Sequence, residues 1–112
     1  MTGFPHTPDG RYFVSKGRLW RTTNPNLPED ERKELVKALM EARRDVHRFR
    51  DDAAKLKDAR SRVHAAKVAL GERGPVWWDD GKADVLEKAP KNTYYADWWA
   101  SLSDAEREKG TS

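Results

Sequence analysis

The longest regular pattern of apolar positions runs through the middle of the chain. From Leu35 to Leu56, apolar or small side chains recur at alternating intervals of four and three residues, which is the spacing of one face of an α-helix. No glycine or proline interrupts residues 29–70, but the alternation slips once, between positions 53 and 59. One continuous helix of this length would need a partner chain to cover its apolar face. Two helices joined by a turn would cover each other.

A turn at residues 50–52 favours the second arrangement. An aspartate at this point can cap a new helix, and reversing the chain here places Leu39 opposite Val63. The slip in the apolar pattern also falls directly after this turn. We therefore expect helices over about 28–50 and 52–70 that pack as an antiparallel helical hairpin.

A shorter pattern precedes the helices. Residues 1–10 contain prolines and glycines without periodicity, and we expect a flexible leader there. Residues 11–22 are rich in β-prone side chains and are interrupted by a Lys-Gly pair, which is typical of a tight β-hairpin turn. This register places Val14 opposite Leu19. A two-stranded hairpin is marginal in water, so one of its faces must pack against another part of the chain.

The C-terminal part begins where the second helix is expected to end, at Gly71. Residues 75–102 form an aromatic-rich segment in which short helices are expected. Ser103 and Glu106 have the spacing of a helix capping box. The remaining tail, residues 103–112, is expected to form a turn or two of helix and then to fray.

The predicted fold class is mainly α (α+β). It consists of an antiparallel helical hairpin, a short N-terminal β-hairpin and an aromatic-rich C-terminal segment containing short helices. At 112 residues, the chain is expected to form a single small domain over positions 11–102.

Composition narrows the classes of function. Apolar and charged residues each make up 37% of the chain, so the core must be small and its aromatic side chains must supply much of it. The absence of cysteine excludes disulfides, thiol catalysis and thiolate metal sites. No secretory signal and no apolar run of about 20 residues are present. We therefore expect a soluble cytoplasmic protein without a membrane partner; its oligomeric state is left open.

Arginine and tryptophan occur together at two places, in GRLWR and in ERGPVWW. These residue types are enriched at the centres of protein interfaces, although they could equally close a core that is poor in aliphatic side chains. The leading prediction is a non-enzymatic binding module of unknown process that recognises another protein. The expected contact residues are Arg18, Trp20, Arg21, Arg73, Trp77 and Trp78.

Basic residues are concentrated around the tip of the predicted helical hairpin. Such a cluster can neutralise phosphates, although charged residues often do no more than solvate a helix surface. The alternative prediction is therefore a nucleic-acid-associated protein. Its expected contact residues are Arg43, Arg44, Arg48, Arg50, Lys55, Lys57, Arg60 and Arg62.

Catalytic chemistry has weak support in the sequence. Asp80-Gly81-Lys82 matches half of a metal-dependent nuclease signature, which gives a minor alternative, a metal-dependent hydrolase around Asp80. A three-residue match recurs by chance, and Asp-Asp-Gly is more simply a turn. We expect no catalytic residues, no metal and no cofactor.

A family resemblance is carried by several short segments, which are GRLWR, ALGERGPVWWDDG and YADWW together with the intervening NP and LP pairs. Over about Asp9 to Leu102, the chain resembles an uncharacterised family of small proteobacterial proteins. Some members are labelled as Tol-type biopolymer transporters, a label that the sequence does not support. The resemblance implies one unit of constant length and supplies no catalytic residues.

Overall fold

Two long helices lie in the middle of the sequence in the computed structural model, which describes residues 3–112. Helix α1 spans Glu29–Arg48 and helix α2 spans Ala53–Ala69. They pack against each other as the antiparallel hairpin expected from the sequence, and a single helix over 29–70 is excluded. Leu39, Ala66 and Leu70 are buried between them. The partly buried side chains packed against this cluster are Leu27, Leu35, Val36 and Val63.

The turn between the two helices is fixed by a local cap. The side chain of Asp52 accepts a hydrogen bond from the backbone N–H of Lys55 at 3.1 Å, which satisfies one of the free donors in the first turn of α2. Ala42 and Ala59 are fully buried, and their small side chains allow the helices to approach closely. The predicted aspartate cap is confirmed.

Helix α2 ends in a reversal of the chain direction. Gly71 has φ +84°, and the N–H groups of Gly71 and Glu72 donate to the carbonyls of Val68 and Lys67. This is the hydrogen-bond pattern of a Schellman motif, which needs a left-handed residue at this position. The glycine end signal after the second helix is therefore confirmed.

The N-terminal β-hairpin has the predicted register. Strand β1 spans Tyr12–Ser15 and pairs antiparallel with β2, Arg18–Arg21, so that Val14 lies opposite Leu19. Tyr12, Val14 and Leu19 point inward and are fully buried.

Both edges of this two-stranded sheet are covered. On the β1 side, Val14 donates to the carbonyl of Pro5, and Thr7 donates to the carbonyl of Tyr12. On the β2 side, Leu19 donates to the carbonyl of Lys88. Covering the edges satisfies backbone groups that would otherwise be open to pairing with another chain.

Both terminal regions of the described chain, from residue 3 onward, contain packed residues. Residues 3–10 of the expected leader include a buried side chain, Thr7, and residues 1 and 2 lie outside the described part. At the other end, helix α4 spans Asp104–Thr111 where fraying was expected. Gly110 is buried because its lack of a side chain allows close contact with Trp99 and Val14. The predicted capping box at the start of α4 is present.

The aromatic segment is mostly irregular. It contains a short 3-10 helix, Pro90–Asn92, and helix α3, Ala96–Ser101. Two of its rings lie edge to face against the Tyr12 ring of β1: the Tyr12 ring lies 5.5 Å from that of Trp78 and 5.6 Å from that of Tyr95. These contacts supply apolar packing that the few aliphatic residues of the chain do not provide.

The described residues divide into two compact units where the sequence predicted a single domain over 11–102. The helical unit is Thr23–Trp77 and contains α1 and α2. The aromatic unit comprises residues 3–22 and 78–112 and contains the β-hairpin, α3 and α4.

Candidate nucleic-acid interface

Arg21, one of the expected protein-contact residues, is buried in the aromatic unit and is only 3% exposed. Its guanidinium forms an ion pair with Asp84 at 3.2 Å. The other carboxylate oxygen of Asp84 accepts a hydrogen bond from the Tyr12 hydroxyl at 2.7 Å. Burial, together with this carboxylate, raises the pKa of Tyr12. Arg21 thus belongs to an internal polar network and is not available to a partner.

Trp78 is also buried, and charged residues of the aromatic unit pack around it. The indole N–H donates to the carbonyl of Lys82 at 2.9 Å. The guanidinium of Arg11 stacks over the Trp78 ring at 4.8 Å and also forms an ion pair with Asp80. The hydrogen bonds from Arg11 lower the pKa of Asp80.

The residues around Asp80 bear directly on the metal-dependent alternative. The carboxylate of Asp80 accepts hydrogen bonds from the guanidinium of Arg11 and from the backbone N–H of Lys82. The bond from Lys82 closes a turn. Among residues 3–112, no group of three or more histidine, aspartate or glutamate side chains is arranged to hold a metal ion. A cation at Asp80 would have to displace the guanidinium of Arg11.

Trp20 lies on the outer face of the β-hairpin and is half-buried. Its indole N–H donates to the carbonyl of Ser15, and its cross-strand neighbour is Phe13. Phe4, which is 43% exposed, stacks on Phe13 with 5.9 Å between ring centroids. With the exposed Arg18, these side chains form a small aromatic patch on the aromatic unit.

Arg73 and Trp77, the other two expected protein-contact residues, belong to the helical unit, whereas Trp78 belongs to the aromatic unit. Both are partly buried. The six expected protein-contact residues are therefore distributed over two units, and two of the six are buried.

The basic residues of the helical hairpin have a different environment. All eight that were expected at its tip are exposed. Within the described chain, only Arg62 among them takes part in an ion pair, with Asp45 at 2.8 Å and Asp58 at 3.0 Å. Arg48 and Lys55 lie over the ring of Phe49, each 5.0 Å from its centroid.

The hairpin has two faces with different charge. At about 100° per residue, Asp45 and Arg62 lie on the same side of the buried stripe, and their ion pair joins α1 to α2 there. Arg43 on α1 and Arg60 on α2 lie on the opposite side of the stripe. We call this second side the cationic face. Its members are Arg43, Arg60, His64, Lys67 and Arg73.

Lys67 has charged side chains nearby on other segments of the helical unit. Burial, together with the guanidinium groups of Arg73 and Arg43, lowers the pKa of Lys67, while the carboxylate of Glu72 opposes this shift. Arg73 reaches this position because the chain reverses after Gly71, and a guanidinium nitrogen lies 3.4 Å from Nδ1 of His64 on α2. Within residues 3–112, none of the ion pairs involves Arg43, Lys67 or Arg73.

Sequence reasoning missed part of this arrangement. Lys67 was outside the expected site, and Arg73 was assigned to the arginine-tryptophan surface. The available signal was the glycine that ends α2, because a reversal there returns the following residues toward the helix. Helical spacing would also have separated Arg62 from Arg60.

None of the helices formed by residues 3–112 is both long enough and apolar enough to cross a membrane. In comparisons with known proteins, no family model matches the chain, and no curated protein or solved structure gives a match. The resemblance to the small proteobacterial family therefore stays a prediction.

Proposed function

We propose that this protein is a non-enzymatic module that binds nucleic acid through the cationic face of its helical unit. The observation that carries the proposal is the difference between the two faces of one helical hairpin. Arg62 is neutralised by two aspartates, whereas Arg60, two residues earlier on the same helix, is exposed and is in none of the ion pairs of the described chain.

Unpaired cations on a rigid helical surface suit a phosphate backbone. Each phosphate that a lysine or arginine neutralises releases a bound counterion, which favours association and makes it dependent on salt. The cationic face and the outward-facing Arg44 together provide five arginines and lysines on adjoining surfaces of the two helices. Such contacts position a protein on nucleic acid without reading its sequence. The proposal includes a cytoplasmic location, where nucleic acid is accessible.

The test is a titration of a fluorescently labelled short DNA duplex of arbitrary sequence, followed by anisotropy at several salt concentrations. Five phosphate contacts predict a slope of about −4 to −5 in a plot of log K against log salt concentration. Absence of binding at low salt would overturn the proposal.

Arg60 and Arg62 provide a matched pair of variants. Arg60→Gln and Arg62→Gln change the net charge equally and lie on the same helix. At 0.1 M salt, Arg60→Gln is expected to weaken binding about eightfold, which is the contribution of one released counterion. Arg62→Gln should change the affinity less than about twofold, because its charge is already balanced by the two aspartates. Equal effects would show that net charge, and not the cationic face, drives binding.

Protein recognition remains a second candidate, favoured by the aromatic patch of Phe4, Phe13, Trp20 and Arg18. Exposed aromatic and arginine side chains are frequent at the centres of protein interfaces. Phe4→Ala removes a ring that is nearly half exposed and should therefore preserve the fold. Loss of a co-purifying protein in this variant, but not in Arg60→Gln, would favour protein recognition over nucleic-acid binding.

A further inference from the structure

We infer that the outer face of the β-hairpin stacks the unpaired bases of single-stranded nucleic acid. The surface that does so is a row of four rings in the aromatic unit, which we call the aromatic row: Phe4, His6, Phe13 and Trp20. The inference rests on the proposed function, since it takes nucleic acid as the ligand. It goes beyond that function because it adds contacts with bases to contacts with phosphates.

The first argument is the register of three neighbouring segments of the chain. His6 lies opposite Phe13, and Phe13 lies opposite Trp20, in antiparallel pairs. Residues directly opposite each other in such pairs point to the same face, so these three rings cross the sheet side by side. The ring of Phe4 joins them because it stacks on that of Phe13. Tyr12, the neighbour of Phe13, points to the opposite, buried face.

The second argument is that the rings are held in place and yet remain accessible. The planes of the Phe4 and His6 rings are inclined by 28° and 36° to that of Phe13, with 5.9 Å between centroids in both pairs. Nδ1 of His6 lies 2.8 Å from the carbonyl of Phe4. The indole N–H of Trp20 donates to the carbonyl of Ser15. Because Phe4 is 43% exposed, a planar ligand can extend the stack against side chains that are already ordered.

The third argument concerns which planar ligand fits. Every base has a π-face, and stacking on aromatic side chains binds unpaired bases whatever their sequence. The bases of a single strand can be splayed out onto such rings, whereas those of a duplex are stacked on one another. An extended peptide is a poorer match, because both edges of the sheet are already paired with other segments of the chain and cannot accept an added strand.

The fourth argument is the charge beside the row. The alternation of side chains along β2 places Arg18 on the same face as Trp20. The Arg18 guanidinium donates to the carbonyl of Glu87 at 3.3 Å, which holds it at the edge of the row. Glu87 and Lys88 carry opposite charges and are both exposed, so Arg18 leaves this edge positive. Its guanidinium can therefore neutralise a phosphate of the strand whose bases stack on the rings.

The test compares two single-stranded probes of equal length, an oligothymidine and an abasic oligonucleotide, which have the same phosphates. Contact with phosphates alone predicts equal affinities. Stacking on the aromatic row predicts that oligothymidine binds at least about fivefold more tightly, the lower end of the range for one stacked base. Equal affinities would overturn the aromatic row as a base-binding surface and would leave the proposed function standing.

Phe4→Ala and Tyr94→Ala form a matched pair, because each removes a ring of the aromatic unit that is nearly half exposed. Tyr94 lies outside the row, against Tyr95, whose ring contacts Tyr12 on the inner face of the sheet. Phe4→Ala and Phe4→Leu should lower the preference for oligothymidine about fivefold, whereas Phe4→Trp should retain it, because only an aromatic side chain stacks. An unchanged preference in Phe4→Ala, or an equal loss in Tyr94→Ala, would overturn the inference.

Arg60→Gln separates this inference from the proposed function. It removes a phosphate contact, so it should weaken both probes by the same factor and leave the preference between them unchanged. A preference that depends on Phe4, with no effect of Arg60→Gln on either probe, would support the aromatic row and overturn the proposed function. Binding of neither probe at low salt would overturn both. If the probes bind equally and Phe4→Ala loses a co-purifying protein, the row serves protein recognition and the inference is overturned.

Discussion

Two arginines of the aromatic unit and two of the helical unit have opposite environments. In the aromatic unit, Arg11 and Arg21 are paired with Asp80 and Asp84, and both pairs connect positions more than sixty residues apart in the chain. In the helical unit, Arg43 and Arg60 are exposed and are in no ion pair of the described chain. At these positions, the same residue type forms internal ion pairs in one unit and is exposed, outside any ion pair of the described chain, in the other.

The difference is instructive because arginine-tryptophan proximity in the sequence indicated Arg21 as part of the binding surface. A buried guanidinium needs a carboxylate, since an unpaired charge in the interior is costly. Because Arg21 is buried and its charge is balanced by Asp84, it does not contribute to a binding surface. Pairing, more than the number of cations, separates structural charge from charge that can bind a ligand.

The largest expected effect comes from breaking the internal network of the aromatic unit. Asp84→Ala removes the carboxylate that pairs with the buried Arg21 and accepts a hydrogen bond from the Tyr12 hydroxyl. We expect a loss of about 3–5 kcal/mol in the free energy of unfolding, measured by urea denaturation.

The exposed pair formed by Asp104 and Arg107 provides the control for this variant. Asp104→Ala should have a much smaller effect, because the carboxylate is fully exposed. A similar loss for both variants would show that burial of Arg21 does not determine the role of its ion pair. Under conditions in which the protein stays folded, the DNA affinity of Asp84→Ala should equal that of the unmodified protein.

A pair of glycines tests how the helical unit positions Arg73. Gly71 and Gly81 both have φ +84°, but only Gly71 has neighbouring atoms where a Cβ would lie. Gly71→Ala should cost roughly 2–4 kcal/mol from backbone strain and overpacking. Gly81→Ala should cost about 1 kcal/mol, from strain alone.

Thermal unfolding of the two glycine variants measures this difference. The folded fraction of Gly71→Ala should also bind DNA more weakly, because Arg73 is displaced. Equal destabilisation by the two substitutions would contradict the close packing at the end of α2.

A smaller effect is expected on acidification, and it should concern the aromatic unit. Burial raises the pKa of Asp9, but hydrogen bonds from Tyr95 and Thr7 outweigh it, so the pKa lies below the ordinary value of 3.8. The folded state therefore binds this proton less tightly than the unfolded state. The stabilisation is present above the ordinary pKa and is lost as the pH falls through the lower folded value.

Hydrogen exchange from about pH 5 down to about pH 2 would measure this loss in the aromatic unit. Asp9→Asn should flatten the pH dependence there, because position 9 no longer titrates. An unchanged pH profile in the variant would show that Asp9 does not contribute to acid sensitivity.

Local rules account for the parts of the fold that the sequence predicted. The apolar period indicated both helices, the Asp52 cap and Gly71 marked their ends, and the pairing of Val14 with Leu19 followed from the position of the turn. Each of these features depends on residues that are close in the chain or on a regular spacing.

The missed features depend on contacts between distant residues. The burial of Arg21 requires a carboxylate supplied 63 positions later, and the order of α4 requires the contact of Gly110 with Trp99 and Val14. Neither contact has a periodic signal in the sequence. In the candidate interface, the exposure of the basic residues was foreseeable, but the division of the hairpin into a paired face and a cationic face required the orientation of both helices.

The most direct test of the central claim is an NMR titration of the full chain with the short DNA duplex at low salt, with backbone amide shifts mapped onto both units. The account predicts shifts concentrated in the helical unit, around Arg43, Arg60, Lys67 and Arg73, and little change around Arg18 and Arg21. Shifts concentrated in the aromatic unit, or no shifts in either unit, would contradict it.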